Sequence, residues 1–187
     1  MRYGNPDGTN IDYVIGQREG SLGPYLKTYR VFKCPSDKSL TKLEDGKSYP
    51  RVRSYSMNGF MGSIARASVT KQVAIFLKRG DIACGPRPEL CVFMDIHEDY
   101  LDQCQYIISW DIGQESFFNL PASRHGGSGV LSFTDGRAEI HRWKDPRTFQ
   151  PVRGVQPQAL PCFGSPDWRY LYQLTTKDLG MDPTHNW

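Results

Sequence analysis

A chain of 187 residues fits one domain, and its apolar share of 39% lies below the about 45–50% usual for globular chains. Eighteen glycines and thirteen prolines exclude a helical bundle, while aromatics at 12% supply large core pieces and exclude wholesale disorder. The net charge is +3 with the signs interspersed, and no apolar run exceeds five residues (73–77), so nothing here spans a bilayer.

The opening MRYGNPDGTN has no apolar core and does not read as a signal peptide; residues 1–20 read as loop. SLGPYLKTYRVF at 21–32 starts with Ser21 as a cap and predicts a short helix around 25–29. Residues 34–50 read as charged loop, and RSYSMNGF at 53–60 alternates as a short strand does. VAIFL at 73–77 fits a buried strand or a short helix. LCVFMD at 90–95 is a compact apolar run ending in an acidic loop, hence a buried strand, and QYIISW at 105–110 is another. Residues 144–167 are rich in Pro and Gly and should be irregular; WRYLYQLTTKDL at 168–179 reads as a short helix or strand. No repeat or interdomain linker interrupts 1–187, which reads as one unit.

The sharpest local expectation is a hairpin in GVLSFT-DG-RAEIHRW. Asp135-Gly136 is the two-residue type I′ signal, which sets Thr134 opposite Arg137. Phe133 then pairs with Ala138 and Leu131 with Ile140 on an apolar face, and Ser132/Glu139 and Val130/His141 lie on the other.

The five cysteines contain no C-x-x-C, which argues against a zinc-ribbon or thioredoxin-type site, and their odd number leaves at least one thiol unpaired within the chain. Cys84 and Cys91 bracket a Gly/Pro loop and read either as a disulfide in an oxidising compartment or as two reduced core cysteines. The densest basic spot, RVR at 51–53, is too short for a nucleic-acid footprint. HEDYL at 97–101 has Leu101 where H-E-x-x-H needs its second histidine, DGKS at 45–48 lacks the first glycine of a phosphate loop, and no G-x-S-x-G occurs. In DIHEDYLD (95–102), Asp95, Glu98 and Asp99 could offer hard oxygens to calcium, although Tyr100 stands where an EF-hand needs glycine; the plainer reading is a solvated acidic loop. His125 and Asp135 bracket one strand, whose six residues span roughly 20 Å at about 3.3 Å each, so they read as turn residues at opposite ends rather than as a pair. His125, Asp135 and Gly136 are therefore expected to be structural.

RHGGSGVLSFTDG contains His125, nine residues, then Asp135-Gly136. Together with CPSD at 34–37, RSYSMNGF, FMDIHED and AEIHRWKDPRT, it closely resembles the bacterial prepilin-type, processing-associated H-x(9)-D-G proteins, which are similar to type II secretion pseudopilins. The resemblance runs from about residue 22 to 143, with DWRYLYQLTT also similar. It implies an α+β, pilin-like globular head with a small antiparallel sheet, short helices and long loops. It implies a non-enzymatic subunit of a secretion or pilus-like apparatus, with other pseudopilins as partners, no cofactor and no catalytic residues. Members carry a hydrophobic N-terminal helix that anchors them at the membrane, facing the periplasm or cell surface. That helix does not occur in this sequence, and Arg137 stands where many members have DGH. The competing reading is an extracellular calcium- or glycan-binding module using Tyr and Trp of residues 96–119 and 143–172. A hydrolase would need His97, His125 or His141 within reach of a carboxylate and a nucleophile.

Overall fold

The structure, a computed structural model, describes residues 6–16, 22–26, 28–62, 73–83, 89–102, 104–109 and 114–176. Its strands are β1 (Leu40–Lys42), β2 (Ser48–Pro50), β3 (Tyr55–Asn58), β4 (Cys91–Asp95), β5 (Gln105–Tyr106), β6 (Ser116–Phe117), β7 (Ser128–Phe133), β8 (Ala138–Arg142) and β9 (Leu160–Pro161). Its helices are α1 (Asp12–Ile15), α2 (Arg79–Ala83) and α3 (Pro166–Thr175). This is a mixed α+β architecture, with a five-stranded sheet in the order β5-β3-β4-β7-β8 and the two-stranded ribbons β1-β2 and β6-β9. Within the main sheet β3 and β5 run parallel, and the other neighbours are antiparallel. Among the described residues no helix is long and apolar enough to cross a membrane.

The apolar runs at 90–95 and 128–133 supply β4 and β7, which with β3 are the inner strands of the sheet. Ser56, Asn58, Met94, Leu131 and Phe133 point to the inner face and are buried. Tyr55, Met57, Phe93, Val130 and Ser132 point to the outer face and are only half-buried.

Helix α3 lies over the inner face. Ser165 caps it by accepting the Trp168 N–H, and Pro166 occupies the first turn, where a missing N–H costs nothing. Trp168, Leu171, Tyr172 and Thr175 then recur at helical spacing and are buried, so the ambiguous segment at 168–179 is a helix through Thr175. Asp167 ties the preceding irregular stretch to the helix, accepting the N–H groups of Lys144 and Asp145 and the Thr148 hydroxyl. Asn58 does the same between strand and helix: its amide donates to the carbonyls of Cys91 (2.9 Å) and Thr175 (2.8 Å) while its oxygen accepts the Phe60 N–H.

The 128–142 hairpin forms, but one residue out of the expected register. Leu131 faces Glu139, Val130 faces Ile140 and Ser132 faces Ala138. A type I′ turn requires positive φ at both central residues, and of Asp135 and Gly136 only Gly136 has it, at 90°. The result is a three-residue loop, Thr134-Asp135-Gly136, in which the Phe133 N–H donates to Arg137 and Asp135 accepts the Arg137 N–H. Thr134 is drawn away from Arg137 because its N–H and hydroxyl bond the backbone of Leu90, the residue before β4. Ile140 consequently lies on the outer face, 67% exposed, while Glu139 and His141 face α3. There Glu139 accepts the Tyr170 hydroxyl (2.5 Å), and the His141 ring stacks on Tyr170 at 3.9 Å.

Other expectations are corrected in the same way. Residues 34–50 are not all loop: DGKS turns the β1-β2 ribbon, with Asp45 accepting the Lys47 N–H and the Tyr49 hydroxyl. The stretch around 25–29 is not a helix; a turn at 22–25 precedes a 3-10 segment at Tyr29–Phe32 capped by Thr28, and Ser21 lies outside the described residues. Residues 73–77 run extended through a bridge between Phe76 and Met61. Cys91 is a free, buried thiol, pushed up to about 12 by burial, as the reduced reading of this cysteine expects; Cys84 lies outside the described residues.

Replacing Asn58 by Leu strands the Thr175 carbonyl and the Phe60 N–H in the core, each worth about 1–3 kcal/mol, and leaves the Cys91 carbonyl with the Tyr106 hydroxyl. Urea unfolding of Asn58→Leu should show a loss of about 3 kcal/mol or more. Asp145 is held down to about 2, chiefly by hydrogen bonds from Arg147. Its contribution to stability is complete above its ordinary value of 3.8 and is lost as the pH falls toward 2. Thermal unfolding between pH 5 and pH 2 should therefore show a shallower acid slope for Asp145→Asn than for the parent chain.

Candidate functional site

Four segments that stand far apart in sequence meet at the Asp95 end of β4: CPSD, RSYSMNGF, FMDIHED and RHGG. Asp95 ends β4 on the outer face, in register with Tyr55, and its carboxylate is fully buried. Its carbonyl accepts the Ala122 N–H, while the next residue, Ile96, donates its N–H to Ser54, so strand and loops hold its backbone on both sides.

Arg124 enters from the turn before β7. Its guanidinium donates to Asp95 Oδ1 and the Ile96 carbonyl and pairs with Glu98 Oε1 at 3.0 Å. The next residue, His125, turns back toward β4 because Gly126 and Gly127 both take positive φ, which closes the loop with the Gly127 N–H on Ser123 and the His125 N–H on Ser128. Its Nε2 then lies 3.3 Å from Cys34 Sγ and 3.8 Å from Asp95 Oδ2. Cys34 is buried and comes from the segment laid over this end of the sheet; its N–H donates to the Ser54 hydroxyl, which donates in turn to Asp37.

The electrostatics follow from this crowding. Burial pushes the Asp95 carboxyl up to about 7; Arg124 opposes that shift, and Asp37 and Glu98 add to it. Asp37 is held below the usual carboxylate range by hydrogen bonds from Ser39 and Ser54, which outweigh the cost of its burial. Tyr55 is raised to about 12 by burial beside Asp95 and Cys34.

The expected site residues fall out differently from their sequence grouping. Asp95 and Glu98 converge on the Arg124 guanidinium, while Asp99 accepts the backbone N–H groups of Arg153 (2.6 Å) and Gly154 (2.9 Å). Among the described residues the ligand group that does form joins Asp95 to Cys34 and His125, not to Glu98 and Asp99, so the three-carboxylate calcium set is not assembled. Nor is 95–102 a solvated loop, since Asp95, His97, Glu98, Asp99, Tyr100 and Leu101 are all buried. Asp135 and Gly136 sit in the turn at the far end of β7 from His125, as the strand length requires. The rings considered for sugar stacking (Tyr100, Tyr106, Trp143, Trp168 and Tyr172) are core; Trp110 lies outside the described residues. Arg51 and Arg53 are buried and donate to backbone carbonyls rather than forming a basic surface.

Cys34 and Arg124 were missed because the contact between Cys34 and His125 spans 91 positions, and no local spacing rule reaches that far. The histidine does meet a thiol and a carboxylate, but through a single nitrogen. A nucleophile–base relay needs the carboxylate on one ring nitrogen and the nucleophile on the other. Here Nε2 faces both, so the three atoms surround a point instead of forming a line. His97 and His141 are engaged elsewhere: His97 bonds the Gln150 carbonyl and the Asp99 N–H, and His141 stacks on Tyr170.

Comparison of the chain with family models, with curated proteins and with solved structures gives no match.

Replacing Arg124 by Met leaves two buried carboxylates facing each other without their cation and should cost about 3–5 kcal/mol in urea unfolding with chelator present. Adding Asp95→Asn to Arg124→Met should recover part of that loss. Strict additivity of the two single changes would show that the side chains are not energetically coupled.

Proposed function

We propose that this chain is the globular head of a pilin-like subunit of a type II secretion or pilus-like apparatus, acting through protein–protein contacts without catalysis. In the full-length parent the head is anchored at the membrane by a hydrophobic helix and faces the periplasm or cell surface. The motifs shared with the H-x(9)-D-G proteins suggest this reading, and the outer face of the main sheet is the observation that carries it. Register places Met57, Phe93, Ser132 and Ala138 in one row across four strands, with Val130 and Ile140 in the adjacent row. The inner face has α3 over it, whereas the outer side chains in these rows are half-buried or exposed. A half-open apolar face on a sheet whose other face is already covered suits an apolar helix or a neighbouring subunit.

The test is site-specific photo-crosslinking in cells expressing the full-length gene. A crosslinker at Ile140 should capture a pilin-type subunit or its helix, and one at Val155, exposed on a loop, should not. With the crosslinker moved to Ala138, exposed on the same face, Ile140→Asp should abolish the adduct and change the stability of the head by less than about 0.5 kcal/mol, the usual range for a surface substitution. Equal capture at Ile140 and Val155, or at neither, would overturn the reading.

A further inference from the structure

We propose that Cys34, Asp95 and His125 form a binding site for one divalent transition-metal ion, zinc by its donor set, with a fourth position open to solvent.

The geometry is the first argument. The thiol, the carboxylate oxygen and the imidazole nitrogen all lie within 4.8 Å of one another, with Sγ to Nε2 at 3.3 Å and Nε2 to Oδ2 at 3.8 Å. Tetrahedral zinc with Zn–S of about 2.3 Å and Zn–N or Zn–O of about 2.0–2.1 Å sets its ligands about 3.4–3.6 Å apart. The side chains therefore need to move by only a fraction of an ångström to a little over one ångström to close on the ion.

The second argument is an unpartnered atom. Asp95 Oδ2 is buried and accepts no hydrogen bond, although Oδ1 of the same carboxylate is held by Arg124. A buried carboxylate oxygen without a donor is costly, and the His125 nitrogen 3.8 Å from it also faces the Cys34 sulfur. One cation between the three satisfies the oxygen, the ring lone pair and the sulfur together.

The surroundings match what metal ligands require. Arg124 orients the carboxylate from behind and is itself balanced by Glu98. The Cys34 backbone is fixed through Ser54 to Asp37. Asp37, Asp95 and Glu98 gather about a single guanidinium, so the neighbourhood favours a further positive charge.

The donor set selects the metal. Calcium takes six to eight oxygens and magnesium prefers an oxygen octahedron with several waters, whereas one thiolate, one imidazole and one carboxylate suit zinc. Binding releases the Cys34 proton to solvent as the metal–sulfur bond forms, with no change of oxidation state. The His125 side chain is 26% exposed, which leaves an open side for a water as fourth ligand.

The test uses the chain freed of metal by chelator and titrated with cobalt(II) as a visible substitute for zinc. The expected result is one cobalt per chain, a near-ultraviolet sulfur-to-metal band with visible bands of tetrahedral intensity, and displacement of both by zinc. Cys34→Ser should abolish the sulfur band, while Cys104→Ser, which changes an exposed cysteine elsewhere, should retain it. His125→Gln changes a partly exposed side chain and keeps the fold testable; it should weaken zinc binding by more than about 100-fold, beyond the loss that a change behind the ligands produces. Zinc should raise the Tm of the parent chain and leave that of His125→Gln unchanged. Absence of a sulfur band, its survival in folded Cys34→Ser, or its loss in Cys104→Ser would each overturn the site.

Discussion

The buried contact between Arg124 and Asp95 is the constraint around which the rest of the fold is arranged. Placing two charges out of water costs several kcal/mol per ion, and their attraction offsets this only when the remaining hydrogen-bonding capacity is filled. Arg124 meets much of that requirement by reaching Asp95, Glu98 and the Ile96 carbonyl at once. Doing so fixes the end of β4, the start of the 3-10 turn at Glu98–Tyr100 and the turn before β7 relative to one another. The backbone bonds from Ala122 to Asp95 and from Ile96 to Ser54 follow from the same placement.

The opposite end of the sheet is held by a different chemistry. Asn58 joins β3 to β4 and α3 with neutral hydrogen bonds, and α3 brings Trp168, Leu171 and Tyr172 onto the apolar residues of β4 and β7. Glu139 and His141 also lie under this helix as a polar pair beside the apolar residues of β7. The Tyr170 hydroxyl and ring satisfy one each, so the strand keeps two polar side chains on a covered face without leaving them stranded.

Patterns confined to a few neighbouring residues were legible in the sequence. The strands at 90–95 and in RSYSMNGF and the hairpin depend on apolar runs or on turn residues, and they appear where those signals stand. The stretch 144–167, expected to be irregular, also holds a 3-10 segment at Pro146–Thr148, β9 and the first turn of α3. The hairpin register was not legible, because Asp-Gly serves both a two-residue loop and a three-residue loop with the glycine at the last position. The choice between them rests on Thr134, which bonds Leu90, the residue before β4, 44 residues away. The β1-β2 ribbon was hidden because LTK and SYP have no apolar alternation; it is held by backbone pairing and by Asp45. The site was the least legible part. Asp95 was read with Glu98 and Asp99 because they are neighbours in sequence, yet burial and chain direction send Asp95 and Glu98 to the Arg124 guanidinium and Asp99 to the backbone N–H groups of Arg153 and Gly154.

The Cys34–Asp95–His125 cluster and the open apolar row belong to one face of the sheet. Asp95, Tyr55 and Phe93 all point outward, but the segment carrying Cys34 covers the Asp95 end, while the Ile140 end has an exposed isoleucine. That covering segment is held through Ser54 and His125: the Ser54 N–H bonds Phe32, the Cys34 N–H bonds the Ser54 hydroxyl, which donates to Asp37, and the Cys34 thiol approaches His125. An ion bound by Cys34, Asp95 and His125 would join the cover to the strand beneath it and to the following turn. The border between the closed and open halves of the face would then be set by coordination at one end of β4, and the accessible apolar row would keep its limits whatever docks on it.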